Sequence, residues 1–368
     1  MKILVLSSHT PSLFWFRMDM MKAFLERGHE VVAIGNETEE KWAKKFSLLN
    51  VKYRQANVQR TGTNPLKDLK TLKDLKKIIK EEKPQKIFSY QAKTVIYGGL
   101  ATKKHKEIDY YPLIAGVGSI FLAKGFKAKL IRAVLKMEYK LALKSAKKVF
   151  FQNQDDVQIF LNNKLVKNSQ VEMMNGSGVN LEKFTVQSLP EEPAFLCISR
   201  LIRDKGVIEY LEASKKVKEE YPNVRFLLVG PFDTNPSAIS KETLDSYINA
   251  GVIEYFGEQE NVIPYLKQCS IYVLPSYREG TPKTVLEAMA SFKAIITTDA
   301  PGCRETVIDG ENGYLVPVKD SDAIADKMKY LIDNPKTIIE MAKKGRLLVE
   351  EKFDVKKVNA KILVVMGL

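Results

Sequence analysis

Two glutamates eight residues apart, Glu279 and Glu287, stand in the stretch PSYREGTPKTVLEAMA, which follows the apolar run IYVL. This order reads as strand, turn and helix. Thr281 is a good N-cap and Pro282 suits a first helical position, so the helix is expected to begin there. The backbone N–H groups and the dipole at such an end suit a diphosphate. Glu287 falls three residues after Thr284 on one helical face, where its carboxylate can accept hydrogen bonds from a diol such as the ribose hydroxyls. Glu279 lies in the loop before the helix, within reach of a sugar ring. Taken alone, the two acids read more readily as a solvated loop acid and a surface helix residue.

A second stretch changes that balance. SRLIRDKG, residues 199–206, follows another apolar strand and opens a helix near Gly206. Arg200 and Lys205 then stand at the strand's C-terminal end, on the same sheet edge as the Glu279 loop. Two cations there can neutralise a departing diphosphate, whose negative charge grows as its bond to the sugar breaks.

The elements that must carry these loops form two βαβ series. In the first, residues 3–7, 30–34, 86–89, 111–115, 148–152 and 171–174 read as strands, with helices at 14–27, 65–82, 94–106 and 125–144. The strands are nearly unbroken apolar runs, as parallel strands covered on both faces require. Residues 175–193 are rich in Gly, Ser, Asn and Pro without periodicity and read as a linker. A second series follows, with strands at 194–199, 225–229, 252–256, 271–274, 294–297 and 314–316, and helices at 333–350 and 355–365. The fold class is α/β: two Rossmann-like, doubly wound domains, 1–185 and 190–352, with a last helix, 353–368.

Composition fits this reading. At 368 residues with 45% hydrophobic and 28% charged side chains, the chain is globular and long enough for two cores. The cysteines, Cys197, Cys269 and Cys303, are an odd number without CxxC spacing, which argues against a disulfide framework or a zinc site. Asp155–Asp156 and Asp320–Asp322 read as helix-start acids rather than metal ligands. The first strand begins at Lys2, leaving no room for a signal peptide, and no apolar run reaches membrane-span length, so a cytoplasmic protein is expected. Charge is lopsided: residues 1–185 hold 34 Lys and Arg against 17 Asp and Glu, while residues 186–368 hold 24 against 27. One half is built to meet an extended anionic surface.

SRLIRDKG, the E-x7-E stretch from Glu279 to Glu287, LPSYREG before it and PGCRETV after it together resemble glycosyltransferase family four. So do FRMDMMKAFLERGHEV, GTNPLKDLKTLKDL and NGSGVNLEKF, and the likeness covers essentially the whole chain. It is similar to the bacterial branch that extends lipid-linked glycans in capsule, O-antigen or N-glycan assembly, including undecaprenyl-diphosphate-sugar N-acetylgalactosaminyltransferases. The resemblance implies a GT-B arrangement, two Rossmann-like domains facing a cleft, with the final helix packed back on the first domain. It implies a retaining, metal-independent hexosyltransferase without cofactor, using a UDP-sugar as donor and a polyprenyl-diphosphate-linked acceptor. Arg200 and Lys205 would hold the donor diphosphate and Glu287 the ribose. Glu279 and the backbone of Gly280, Thr281, Pro282 and Lys283 would hold the transferred sugar. Thr284 would sit near the distal phosphate, and Tyr255 to Gly257 near the base. Retention without an enzymatic nucleophile implies front-face attack, with catalysis by positioning and electrostatics.

The chain departs from the family after its fifth strand, where many members carry a histidine and this one reads AGVGSIF, with Gly116 and Gly118. His9, at the end of the first strand, Arg17, in FWFRMD, and Gly116 and Gly118 of that loop are the residues that could meet the acceptor. Residues 124–148 hold nine cations against Glu138 alone, interleaved with apolar residues at helical spacing. Lys127, Arg132, Lys136, Lys140 and Lys144 flank the apolar face, a pattern suited to the inner face of the cytoplasmic membrane. The plainer alternative packs that face on the sheet. No nucleic-acid-binding motif accompanies the basic half. Two rival functions remain: a UDP-sugar epimerase of similar fold, and a non-enzymatic module binding anionic surfaces.

Overall fold

A computed structural model describes the chain except residues 60, 61, 63, 118–120 and 122–124 and the side chain of Lys127. It separates into two units, residues 1–177 with 358–368, and residues 178–357.

The first unit runs β1 (Lys2–Leu6), α1 (Thr10–Glu26), β2 (Glu30–Gly35), α2 (Glu39–Ser47), β3 (Lys52–Gln55), α3 (Pro65–Glu82), β4 (Lys86–Tyr90), α4 (Ala92–Thr102), β5 (Asp109–Ile114), α5 (Phe126–Leu143), β6 (Val149–Phe151), α6 (Gln154–Asn162) and β7 (Val171–Met173). The strands form one parallel sheet in the order β3-β2-β1-β4-β5-β6-β7. Alternation along β1 divides the core: Leu4 and Leu6 pack with Leu75, Val95 and Leu143 of α3, α4 and α5, while Ile3 and Val5 pack with Leu13, Met21 and Phe24 of α1. Val358, Ile362 and Met366 join that second cluster, so the chain's last turns complete this unit.

The second unit runs β8 (Ala194–Ile198), α7 (Val207–Glu220), β9 (Arg225–Val229), α8 (Lys241–Asn249), β10 (Glu254–Tyr255), α9 (Ile263–Leu266), β11 (Ile271–Leu274), α10 (Lys283–Ala290), β12 (Ala294–Thr298), β13 (Gly313–Val316), α11 (Ser321–Asp333) and α12 (Pro335–Leu348). Its sheet is parallel in the order β10-β9-β8-β11-β12-β13. In both sheets the chain builds outward from a central strand, then returns to that strand's other side. The switch points are therefore β1–β4 and β8–β11, where doubly wound sheets offer ligands the C-terminal strand ends.

Two boundaries differ from the sequence reading. The first unit ends at Ser177 rather than 185, because Val179 and Phe184 are buried in the second unit's core and Val179 bridges to Asp354. The first part of the expected linker, through Phe184, thus contributes buried residues to the second unit's core. The helix expected from Thr281 begins at Lys283, with Pro282 as its cap. Pro282 has ψ 108, outside the helical range, and its carbonyl accepts from Val285 and Leu286, so Thr281 lies one residue too early to cap.

Candidate active site

In the second unit, the turn after β8 and the turn after β11 pack onto each other. Tyr277 N–H donates to the Asp204 carbonyl at 2.9 Å and Ser276 Oγ to the same oxygen at 3.2 Å. Gly206 sits between them at φ 70, where an added Cβ would lie 2.0 Å from the Pro275 carbonyl oxygen. Only glycine allows both that backbone angle and that approach. On the far side, Gly302 at φ 83 lets PGCRETV close on the acid loop, a Cβ there falling 2.3 Å from the Glu279 carbonyl oxygen. Glu279 N–H donates to the Pro301 carbonyl at 2.9 Å. The two turns are rigid because backbone holds backbone.

These turns bring the expected charges to one edge, and bring them in pairs. Lys205 forms an ion pair with Glu279, both largely buried. Arg200 Nη1 donates to Asp233 Oδ2 at 2.6 Å, and Asp233 Oδ1 in turn accepts from Asn235 N–H at 2.8 Å. Lys283 Nζ lies 3.8 Å from Glu287 Oε1. Glu287 is only 8% exposed, so burial raises its pKa above the usual carboxylate range, with Lys283 and Lys183 pulling the other way. Thr284 hydrogen-bonds Tyr272, whose hydroxyl donates to the Ile198 carbonyl at 3.1 Å, tying α10 to the end of β8. Gly280, Thr281 and Lys283 are partly exposed at this edge, beside buried Pro282.

Two strands away, Tyr255 donates its hydroxyl to the Gly230 carbonyl at 2.8 Å, and the Gly257 carbonyl accepts from Gly230 N–H at 2.8 Å. Phe232, 43% exposed, stands edge-on to the Tyr255 ring at 6.0 Å. Asp233 and Phe232 escaped the sequence reading. Asp233 carries no local signature: its meaning comes from Arg200, 33 residues away, through a strand pairing.

The first unit treats its expected residues unequally. His9 is the N-terminal flanking residue of α1 and is partly exposed. Arg17 is inside, 2% exposed, with Nη1 donating to the Phe16 carbonyl and Ser177 Oγ, each at 3.1 Å. Its guanidinium carbon lies 4.7 Å from the Tyr90 ring centroid and 5.6 Å from that of Phe88. Burial lowers its pKa to about 10. The reason is spacing: Leu13, Arg17, Met20, Met21 and Phe24 share the inner face of α1. Gly116 has φ 118 with open space around it, and Gly118 lies outside the described residues.

The helix α5 divides its apolar residues between two faces. Tyr139, Ala142 and Leu143 are buried, but Phe126 is 85% exposed, Leu130 60%, Val134 47%, Met137 58% and Leu141 40%. Lys140 and Lys144 are exposed and Arg132 and Lys136 partly so; the side chain of Lys127 lies outside the described residues. Among the described residues no helix is long and apolar enough to cross a membrane, and no group of three or more His, Cys, Asp or Glu could hold a metal ion.

A rigid, charged edge at a switch point of one parallel sheet, in a chain that builds a second sheet of the same kind, defines a class that the comparisons make specific. Residues 180–348 match the model for glycosyl transferases group 1, and residues 2–153 that for glycosyl transferase 4-like domains. The chain is 32% identical over 357 residues to the N,N'-diacetylbacillosaminyl-diphospho-undecaprenol alpha-1,3-N-acetylgalactosaminyltransferase of Campylobacter jejuni, covering 93% of this chain and 92% of that protein. It is 24% identical to the UDP-Gal:alpha-D-GlcNAc-diphosphoundecaprenol alpha-1,3-galactosyltransferase of Escherichia coli, over 79% of this chain and 77% of that one. The fold matches that of sucrose-phosphate synthase from Thermosynechococcus elongatus with TM-score 0.81 at 18% identity, covering 100% of this chain and 98% of that one. The chain belongs to the family-four glycosyltransferases, retaining hexosyltransferases of GT-B fold. The epimerase and binding-module readings find no support in these relatives.

Proposed function

We propose that this glycosyltransferase moves an N-acetylhexosamine from a UDP-sugar onto a polyprenyl-diphosphate-linked sugar at an anionic membrane surface, without a metal or cofactor. The observation that carries the donor half is the charged edge at β8–β11, where Arg200, Lys205, Glu279 and Glu287 converge on backbone fixed by Gly206 and Gly302. The names of the Campylobacter and Escherichia relatives, both acting on undecaprenyl-diphosphate-linked sugars, support the acceptor class, and the second supports UDP as carrier.

In this reading, the donor diphosphate takes Arg200 from Asp233 and Lys205 from Glu279, and the ribose hydroxyls donate to Glu287. The bond between sugar C1 and the diphosphate oxygen breaks. The acceptor hydroxyl oxygen bonds to C1 on the same face, and its proton passes to the departing phosphate oxygen. Charge develops on the diphosphate, and Arg200 and Lys205, once drawn from their acids onto it, stabilise it more strongly as the transition state forms. Glu279, released by Lys205, orients the sugar, and Tyr255 and Gly257 border the base. No side chain needs to become a nucleophile.

Isothermal titration with UDP tests the donor site. Arg200→Ala and Lys205→Ala are expected to weaken binding at least tenfold each, since a charge-assisted hydrogen bond contributes roughly 1.5–3 kcal/mol. Unchanged affinity in both would reject the assignment. Mass spectrometry of lipid-linked acceptors incubated with a panel of UDP-sugars identifies the sugar.

The exposed stripe of α5, Phe126, Leu130, Val134, Met137 and Leu141, lies along one side of the helix beside Lys140 and Lys144. Water is a poor solvent for such a face and an anionic leaflet a good one, the apolar groups entering the acyl boundary and the cations meeting headgroups. This favours peripheral attachment at the cytoplasmic face. Flotation with phosphatidylglycerol vesicles is expected, and is expected to fail after charge removal at Lys136, Lys140 and Lys144; indifference to that change would count against it.

A further inference from the structure

The switch point of the first sheet holds a strained residue and an exposed aromatic surface. Gln91, directly after β4, has φ 73 and ψ 141, a backbone region close to glycine-only. Its side chain keeps it there. Gln91 Oε1 accepts from Ser8 N–H at 2.8 Å, Ser8 Oγ at 2.8 Å and Ser7 Oγ at 3.0 Å, while Nε2 donates to Ser12 Oγ at 3.3 Å. Ser12 Oγ also bonds the Tyr90 hydroxyl at 2.8 Å and donates to the His9 carbonyl at 2.6 Å. Ser7, Ser8, Ser12 and Tyr90 are all buried. This network fixes the turn between β1 and α1, and with it His9, where β1 and β4 diverge. Backbone strain persists only where its surroundings over-determine it, and such places concentrate at ligand sites.

Above this floor Trp15 is 52% exposed and Phe16 38%. Helical side chains lean toward the N-terminus, and the Trp15 ring lies 5.5 Å from that of His9, with Phe16 edge-on to it at 6.4 Å. The faces of these rings carry partial negative charge and attract polarised C–H groups. A pyranose offers such a set of C–H groups on one face, with hydroxyls around its rim for polar neighbours. Acyl chains would also cover an indole, but the turn beside it is polar: Thr10 N–H donates to Asn36 Oδ1 at 2.9 Å and Glu37 N–H to Thr10 Oγ1 at 3.1 Å. Polar groups beside an indole suit the hydroxyl rim of a sugar, whereas an acyl chain would meet them without a partner to offer.

We infer that Trp15 and His9, seated on the Gln91-locked floor, form the platform that receives the apolar face of the acceptor's terminal sugar. This rests on the transferase reading and adds the residues that choose the acceptor. The probe is the polyprenyl-diphosphate-linked N-acetylhexosamine that wild type elongates. With it, Trp15→Ala raises acceptor KM about tenfold while leaving kcat and UDP affinity within about twofold, and Trp15→Phe restores most of the loss. The chain has two tryptophans, so Trp42→Phe makes Trp15 the only indole reporter. Its fluorescence then shifts on addition of that acceptor in detergent, and not with phosphatidylglycerol vesicles alone. An unchanged KM in Trp15→Ala overturns the platform, as does a fluorescence response to vesicles without acceptor, which would make Trp15 a lipid contact. A wild-type chain that binds no UDP and transfers nothing fails the transferase reading itself, a result seen before any variant is made.

Discussion

The two switch points solve different recognition problems with different chemistry. At β8–β11 the side chains are charged and paired: Arg200 with Asp233, Lys205 with Glu279, Lys283 with Glu287. At β1–β4 the side chains that hold the turn are neutral, a strained glutamine bonded to three serines beneath an exposed indole. A diphosphate needs cations, and partly buried cations need counter-charges to hold them, so acids come with them. A neutral sugar needs fixed donors and acceptors and something flat to cover. Each edge can be broken in a way that leaves the other intact.

Lys205→Ala makes the sharpest break. The variant is expected to lose about 10²–10³-fold in transfer rate, the usual cost of removing one group aimed at developing charge, while acceptor KM stays within about twofold. A loss below about fivefold, measured by product mass spectrometry, would mean the lysine serves only Glu279. Gly206→Ala follows. Its Cβ meets the Pro275 carbonyl oxygen at 2.0 Å with φ at 70, so urea unfolding of the variant is expected to show a stability loss of about 2–3 kcal/mol.

Glu287→Gln tests the pairing more finely. UDP affinity is expected to fall about tenfold, because a ribose diol binds a carboxylate more strongly than an amide. Burial raises the pKa of Glu287 in the folded chain above its unfolded value. Its contribution to stability is therefore complete below the unfolded pKa and is lost as pH rises through the folded one. At neutral pH the substitution is thus expected to raise Tm slightly while it weakens nucleotide binding. Wild-type UDP affinity is also expected to fall in mild acid, sooner than for an ordinary glutamate, and the variant is expected to lose that limb. A titration showing parallel pH profiles would remove Glu287 from the ribose.

Salt separates the edges least. Between 0.05 and 0.5 M NaCl, UDP affinity is expected to drop severalfold and the Trp15 fluorescence response to acceptor to change little, because screening acts on charges and not on stacking.

Most of the charged edge was legible in the sequence, because its residues sit within a few positions of strand ends that apolar runs mark clearly. Arg200 and Lys205 follow AFLCI, and Glu279 follows IYVL. What eluded reading is what depends on distant partners. Asp233 matters only because β9 lies beside β8, and Gln91 only because β4 lies beside β1. Arg17 drew notice as a cation, but helical phase turns it inward and leaves its neighbour Trp15 outside. The edge strand β3, KYRQ, has no apolar run because only Tyr53 is buried, and it went unread. The cap of α10 moved by one residue for a local reason, since Pro282 adopts an extended ψ that starts the helix after it.

The account stands on the donor diphosphate meeting the charged edge, and a crystal structure of the chain with UDP addresses that directly. The account predicts phosphate oxygens within hydrogen-bond distance of both Arg200 and Lys205, with Asp233 and Glu279 displaced from them and Glu287 on the ribose. A nucleotide bound while Arg200 still holds Asp233 and Lys205 still holds Glu279 would contradict it.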